Sequence, residues 1–309
     1  MNTLIKRLLL FFLIAFLFLL LLSRIDNIDK KLSQDNNIVS IKNKSKFDSL
    51  DILFVGNSYC YSGIIPEIFD SINYKTYNLG ISTAGPYFYE LLLDEYLAQC
   101  QQKPKSIYLL ISPTTFSCLA DNFLAYPIHR YLENSFTNEY IAYKYKEYNE
   151  YDEILQKSIR KGFSNIFTVG MKKNENFETL LSKGYCKSTQ VYTSNILKST
   201  QALYYPLRKD NFSEIKFKHL LNYLENLNKI RNIEIVLFDL PTNELKNYYN
   251  SNFISNYNVG KSILSKKYKF ISLDSSLPNS CFQNIDHLNY SGAQIVTNNL
   301  VRIILSKKE

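Results

Sequence analysis

Tryptophan is absent from the 309 residues, and histidine occurs only three times, as His129, His219 and His287. So few histidines leave little material for a metal centre, and no H-E-x-x-H cluster is present. A metal-dependent hydrolase is therefore disfavoured, and no metal or cofactor is expected. The five cysteines, Cys60, Cys100, Cys118, Cys186 and Cys281, form no C-x-x-C, and none has a histidine at ligand spacing. Their odd number excludes a fully paired disulfide framework. Most read as small buried hydrophobes, with one or two bridges open to an exported domain. The formal net charge is +8, yet the lysines are scattered. No arginine cluster and no aromatic–basic module stands among them, so nucleic acid is not an expected partner. Internal repeats are also missing.

What the chain does contain is 46% hydrophobic and 21% charged residues, the balance of a folded protein. The length suits one large domain or two small ones. Leu8 to Leu22 are fifteen consecutive apolar residues, preceded by Lys6 and Arg7. As a helix the run spans roughly 22 Å, short of the ~30 Å hydrocarbon layer, with snorkelling by Lys6 and Arg24 making up part of the gap. A cleaved signal peptide is the rival, but Ser23-Arg24-Ile25-Asp26 offers no small-x-small site. The expectation is an uncleaved anchor over residues 1–24 whose N-terminal tip is cytoplasmic by the positive-inside rule, making a single-pass membrane protein. A polar tether over 25–49 follows, and then a domain over 50–309 facing the periplasm or the exterior.

Within that domain, short apolar runs end at turn residues and are followed by helical patterns. Residues 50–55, 75–79, 106–112, 233–238 and 269–273 read as strands. Helices are expected over about 64–72, 87–100, 213–228 and 291–306. Strands that are apolar throughout, alternating with helices, predict an α/β fold with a mostly parallel sheet covered on both faces. Between about 116 and 212 the pattern loosens into a Tyr-, Lys- and Asn-rich stretch. It reads as a partly helical insertion on the loop side of the sheet, serving as a lid, as a partner surface or only as cover.

Ser58 follows the first strand on a Gly56-Asn57-Ser58 turn leading into a helix, at the carboxyl edge where open α/β sheets bind ligands. Taken alone it reads equally well as a helix-capping serine. His287 lies in Asn284-Ile285-Asp286-His287-Leu288-Asn289, a polar loop between the last strand and the last helix, which reaches the same edge. A neutral imidazole there can take a serine proton and return it to a leaving alcohol. His219, between Lys218 and Leu220 on a helix, reads as a packing or surface residue. His129 has no motif around it.

Three segments together resemble the SGNH/GDSL hydrolase superfamily, in particular its membrane-anchored branches linked to cell-envelope polysaccharide acylation. LFVGNSYCYSGIIPEIF is similar to the first block. YNLGISTAGP is similar to the second, with Gly80 in the glycine's place. IDHLNYSGAQIVTNNLVRII is similar to the last, with His287 as the catalytic histidine. The resemblance implies a three-layer, doubly wound, flavodoxin-like domain. It also implies Ser58 as nucleophile, His287 as base, and the Ser58 and Gly80 amides in an oxyanion hole. The implied activity is that of an O-acetyltransferase or esterase acting on an envelope or secreted polysaccharide, beside a multi-span membrane O-acyltransferase. Two positions depart from the pattern. The family's acid, three residues before the histidine, is Asn284 here, which leaves Asn284 and the adjacent Asp286 as alternative orienting groups. The usual Gly-x-Asn-Asp block is replaced by Ile111-Ser112-Pro113-Thr114-Thr115, so Ser112 or Thr114 would have to supply a hydroxyl donor. These departures keep open an alternative, a non-catalytic protein of the same fold that binds a polysaccharide or an assembly partner.

Overall fold

Five short runs, each bounded by turn residues, pair into one sheet in the computed structural model of the chain. Residues 5–7, 10–14, 49–81, 84–118, 178–180, 183–192, 210–231, 233–242, 245–273 and 276–306 are described by it. Strands β1 (Ile52–Gly56), β2 (Thr76–Gly80), β3 (Ser106–Leu110), β6 (Glu234–Asp239) and β7 (Lys269–Ser272) form this sheet. Its order is β2-β1-β3-β6-β7, and every pair is parallel. β1, β2 and β3 are buried along their whole length; β1 is apolar on both faces, whereas β2 and β3 keep Thr76, Asn78 and Ser106 inside as buried polar residues. β4 (Glu178–Leu180) and β5 (Cys186–Ser188) make a separate antiparallel pair from the insertion.

Helices cover both faces. α1 (Ser58–Gly63), α2 (Pro66–Asp70) and α6 (Tyr290–Leu305) pack together on one side, where Thr297 Oγ1 of α6 accepts from the Ile65 amide and donates to the Gly63 carbonyl. α3 (Pro86–Gln99), α4 (Glu214–Arg231) and α5 (Ser251–Lys267) lie on the other side, α4 packing on α3 and α5 bringing Gly260 against Phe217 of α4. With the strand order, this is the doubly wound arrangement whose topological switch lies between β1 and β3. The expected helix over 64–72 is in fact two short helices. α1 begins at Ser58 itself, and Pro66, which cannot donate to a preceding turn, restarts the chain as α2. α5 was not expected, because its apolar residues Phe253, Tyr257, Gly260 and Leu264 are spread thinly among asparagines and serines.

The insertion leaves and returns at one point. Ser117 pairs with Phe212, the Cys118 amide donates to the Asn211 carbonyl, and the buried Lys216 ammonium donates to the carbonyls of Ser117 and Cys118. Asp210 takes the Ser117 hydroxyl and the amides of Cys118 and Asn211; burial nevertheless pushes its carboxyl up. Further on, the Lys183 carbonyl accepts from the Asn78 amide of β2, and the Tyr192 amide donates to the Phe282 carbonyl beside the histidine loop. Most of the partly helical insertion expected over about 116–212 lies outside the described residues.

The N-terminal expectation is corrected. No helix among the described residues is long and apolar enough to cross a membrane. The described helical residues there are 5–7 and 10–14. The transmembrane helix, the signal-anchor and the membrane-anchored branch of the resemblance are withdrawn on this ground. So are attachment to a membrane, partnership with a membrane O-acyltransferase, and the single-pass topology with an exported domain. Residues 15–22 of the apolar run and nearly all of the expected tether lie outside the described residues.

Candidate active site

β1 delivers the chain to the carboxyl edge and Gly56 lets it turn there: a Cβ at this position would lie 2.6 Å from that of Cys60 and 2.7 Å from that of Leu110. Asn57 is the N-cap of α1, its Oδ1 accepting from the Tyr59 amide at 3.1 Å. Ser58 is thus the first helical residue. On the other side of the site, an antiparallel bridge between Phe282 and Leu288 closes the 283–287 loop, and the Gln283 amide donates to the His287 carbonyl at 2.9 Å. Asn289 anchors the loop to α6, accepting from Gly292 and donating to the carbonyls of Ser280 and Phe282.

These two constructions bring together residues 229 apart in sequence: His287 Nε2 lies 2.7 Å from Ser58 Oγ. His287 Nδ1 lies 2.5 Å from Asp286 Oδ1 and 3.3 Å from Asn284 Oδ1. An ionised Asp286 only accepts, so the proton sits on Nδ1 and the Ser58 hydroxyl donates to the Nε2 lone pair. Asn284 Oδ1 accepts the backbone amides of Asp286 at 3.1 Å and His287 at 2.7 Å. Asn284 therefore builds the turn, and the turn swings the neighbouring carboxylate back onto the imidazole. Asp286 is 5% exposed, and its other oxygen accepts the Tyr59 hydroxyl at 3.0 Å.

A second polar group lies beside Ser58. Asn57 Nδ2 donates to Ser112 Oγ at 3.0 Å and to Thr114 Oγ1 at 2.9 Å. Ser112 Oγ is also 2.9 Å from Thr114 Oγ1 and 3.1 Å from Thr115 Oγ1, and Thr115 Oγ1 accepts from the Ser112 amide at 3.0 Å. Thr115 is 0% exposed, so its proton needs a protein acceptor, and Ser112 Oγ is the one in reach. Ser112 then donates to Thr114. The chain of donation ends on Thr114, a half-buried residue whose own O–H then has no acceptor among the described residues.

Gly80 sits at the end of β2 opposite Gly56, but its amide donates to Asn78 Oδ1 at 2.9 Å. Its lack of a side chain has a packing cause, since a Cβ there would come within 2.5 Å of the Tyr61 amide nitrogen in α1. Asn78, fully buried, also donates to the carbonyls of Cys60 and Ile64 and so fastens the last turn of α1 to β2.

No family model matches the chain, and neither does any curated protein. Solved structures do show likeness. A candidate platelet activating factor from Streptococcus pneumonia is 14% identical, with 94% of this chain and 98% of that one covered and a TM-score of 0.42. A candidate lipolytic protein of the G-D-S-L family from Desulfitobacterium hafniense DCB-2 is 9% identical, covering 82% and 98%, with a TM-score of 0.35. An acetyl xylan esterase from the rumen bacterium Butyrivibrio proteoclasticus is 11% identical, covering 83% and 63%, with a TM-score of 0.34. Similarity this loose says nothing about the chemistry of the present chain, which rests on its own geometry.

Of the other histidines, His219 pairs with Glu90 between α4 and α3 and packs its ring 4.4 Å from that of Tyr87, away from Ser58 in the fold. His129 lies outside the described residues. Among the described residues no group of three or more His, Cys, Asp or Glu side chains is placed to hold a metal ion. Sequence reasoning missed Asn57, Tyr59, Asn78 and Thr115. Asn57 carried a signal, being a polar residue between a β-strand and a helix start. Tyr59 carried none, because its partner lies 227 residues away.

Proposed function

We propose that the protein is a serine-dependent acyl-ester enzyme, an esterase or O-acyltransferase, with Ser58 as nucleophile, His287 as base and Asp286 as the group that orients it. The observation carrying this reading is the continuous hydrogen-bonded path from Ser58 Oγ through both imidazole nitrogens to a buried carboxylate. A scaffold has no use for such a path, and this favours catalysis over the binding-protein alternative.

In this reading Ser58 Oγ attacks the ester carbonyl carbon while its proton passes to His287 Nε2. The Nδ1–H keeps its bond to Asp286, whose charge stabilises the imidazolium. The developing oxyanion takes the Ser58 amide, which has no acceptor among the described residues, and the remaining O–H of Thr114. The Gly80 amide is committed to Asn78 and is left out. His287 then gives its proton to the departing alkoxide, leaving acyl-Ser58 and a free alcohol. Water or a second hydroxyl, deprotonated by the same nitrogen, attacks the acyl carbon, the bond from that carbon to Ser58 Oγ breaks, and His287 Nε2 returns the proton to Oγ. The products are a carboxylic acid in the first case and a new ester in the second. An acylated polysaccharide is the substrate class that the three sequence blocks favour.

Intact-mass analysis after treatment with a fluorophosphonate tests the reading. A single adduct on the wild-type chain that disappears in Ser58→Ala is expected. A folded wild-type chain that takes no adduct, or an adduct that survives in Ser58→Ala, would overturn it.

A further inference from the structure

The side chains of adjacent residues such as Asp286 and His287 ordinarily diverge, so a carboxylate next to its own histidine needs something to hold it against the ring. The Asn284 turn bends the backbone, but it does not choose the carboxylate rotamer. Tyr59 touches both members of the pair. Its hydroxyl donates to Asp286 Oδ2 at 3.0 Å, and its ring meets the imidazole edge-on, with centroids 4.9 Å apart and planes at 62°. It is buried, at the second position of α1, and its amide is tied to Asn57 Oδ1. We infer that Tyr59 is a positioning residue for the Asp286–His287 pair, setting which carboxylate oxygen faces Nδ1 and how much negative charge that oxygen carries.

This rests on the reading of Ser58 as nucleophile and His287 as base. With Oδ2 held by a phenol, Oδ1 is aimed at Nδ1, the proton stays there, and the Nε2 lone pair faces Ser58. The phenol also draws charge away from the carboxylate and so moderates its pull on an imidazolium. Tyr249, beyond the 3-10 turn Leu245–Tyr248, also faces Asp286; burial, with the carboxylates of Asp210 and Asp286, pushes its hydroxyl well up, so it stays neutral. Tyr59 is thus the hydroxyl hydrogen-bonded to the acid, and through its own position next to Ser58 it joins the nucleophile turn to the base loop.

The test is the rate of fluorophosphonate labelling against pH for wild type, Tyr59→Phe and Tyr59→Leu, with Ser58→Ala as control. Labelling needs the neutral imidazole, so its rate falls as pH drops through the base's titration. Removing the phenol leaves more negative charge on Asp286, stabilises the imidazolium and moves this acid limb to higher pH. Tyr59→Phe, which keeps the ring, is expected to move the limb upward and to lower the plateau rate by about 10- to 150-fold at most, the scale of a lost hydrogen bond to a charged group. Tyr59→Leu is expected to move the limb by a similar amount and to lower the plateau further, since the ring contact goes as well. A limb that stays in place in Tyr59→Phe overturns the inference, whether the plateau falls uniformly or holds. An unlabelled wild-type chain, or label persisting in Ser58→Ala, removes the underlying reading and the inference with it, and is told apart because it shows before any Tyr59 variant is compared.

Discussion

The two edges of the parallel sheet use polar residues in opposite ways. At the amino edge a cavity of about 530 Å³ opens among Asp51, Tyr74, Lys105, Tyr108, Glu234 and Lys269. Its charges pair with each other near the surface, Lys105 with Asp51 at 2.7 Å and Lys269 with Glu234 at 2.9 Å. Such pairs are screened by water and hold no unique geometry. Burial, with Glu234 and Tyr74 nearby, pushes the Tyr108 hydroxyl up, so it stays protonated. At the carboxyl edge, Asn57, Ser112, Thr115 and Asp286 are buried, and their hydrogen bonds have fixed senses, donation running from Ser58 through His287 to Asp286 and from Thr115 through Ser112 to Thr114. This cavity opens at the edge without directed chemistry. Reactivity depends on donors and acceptors whose directions are forced by burial, and volume alone does not supply that.

The comparison breaks most sharply at Asp286. Asp286→Ala is expected to slow labelling of Ser58 by about 10²–10⁴-fold, the scale set by loss of an orienting carboxylate. Asn284→Ala should cost less, because it loosens the turn without removing the charge. The reverse ranking, read in the same labelling assay, would return the orienting role to Asn284. Thr114→Val is expected to lower kcat on an activated acetate ester by about 10- to 10²-fold with little change in KM, while Thr114→Ser keeps most of the activity. A larger loss in Ser112→Ala than in Thr114→Val would mean that the donation chain runs the other way. At the amino edge, Lys269→Ala should leave the labelling rate within about twofold of wild type and alter stability by no more than about 0.5 kcal/mol in urea unfolding. A loss of activity there would mean that the two edges are coupled.

Much of this was legible in the chain itself. The five core strands, and the helices following β2, β3 and β7, came within a few residues of where they stand, because strands buried on both faces are largely apolar and end at turn residues, with Thr76, Asn78 and Ser106 as buried polar exceptions. α5 escaped notice because Phe253, Tyr257 and Leu264 give it a narrow apolar stripe among residues of low helix propensity. β4 and β5 are three residues each and are held by tertiary contact rather than by pattern. The membrane anchor was read from the apolar run by itself, and the described helical pieces there do not make a spanning helix.

At the site, the sequence by itself determined that Ser58 follows a buried strand on a glycine turn and that His287 lies in a loop leading into the last helix. Chain order and hydrophobic pattern carry that information, since both depend on near neighbours. Only the tertiary structure decided that Asp286 lies closer to Nδ1 than Asn284 does, that Thr114 ends the run of hydroxyls, that the Gly80 amide is occupied, and that Tyr59 touches Asp286. Those outcomes depend on strand register and loop closure between segments as much as 229 residues apart, to within fractions of an ångström. A hydrogen bond is made or lost over that range, and no local pattern of residues records it.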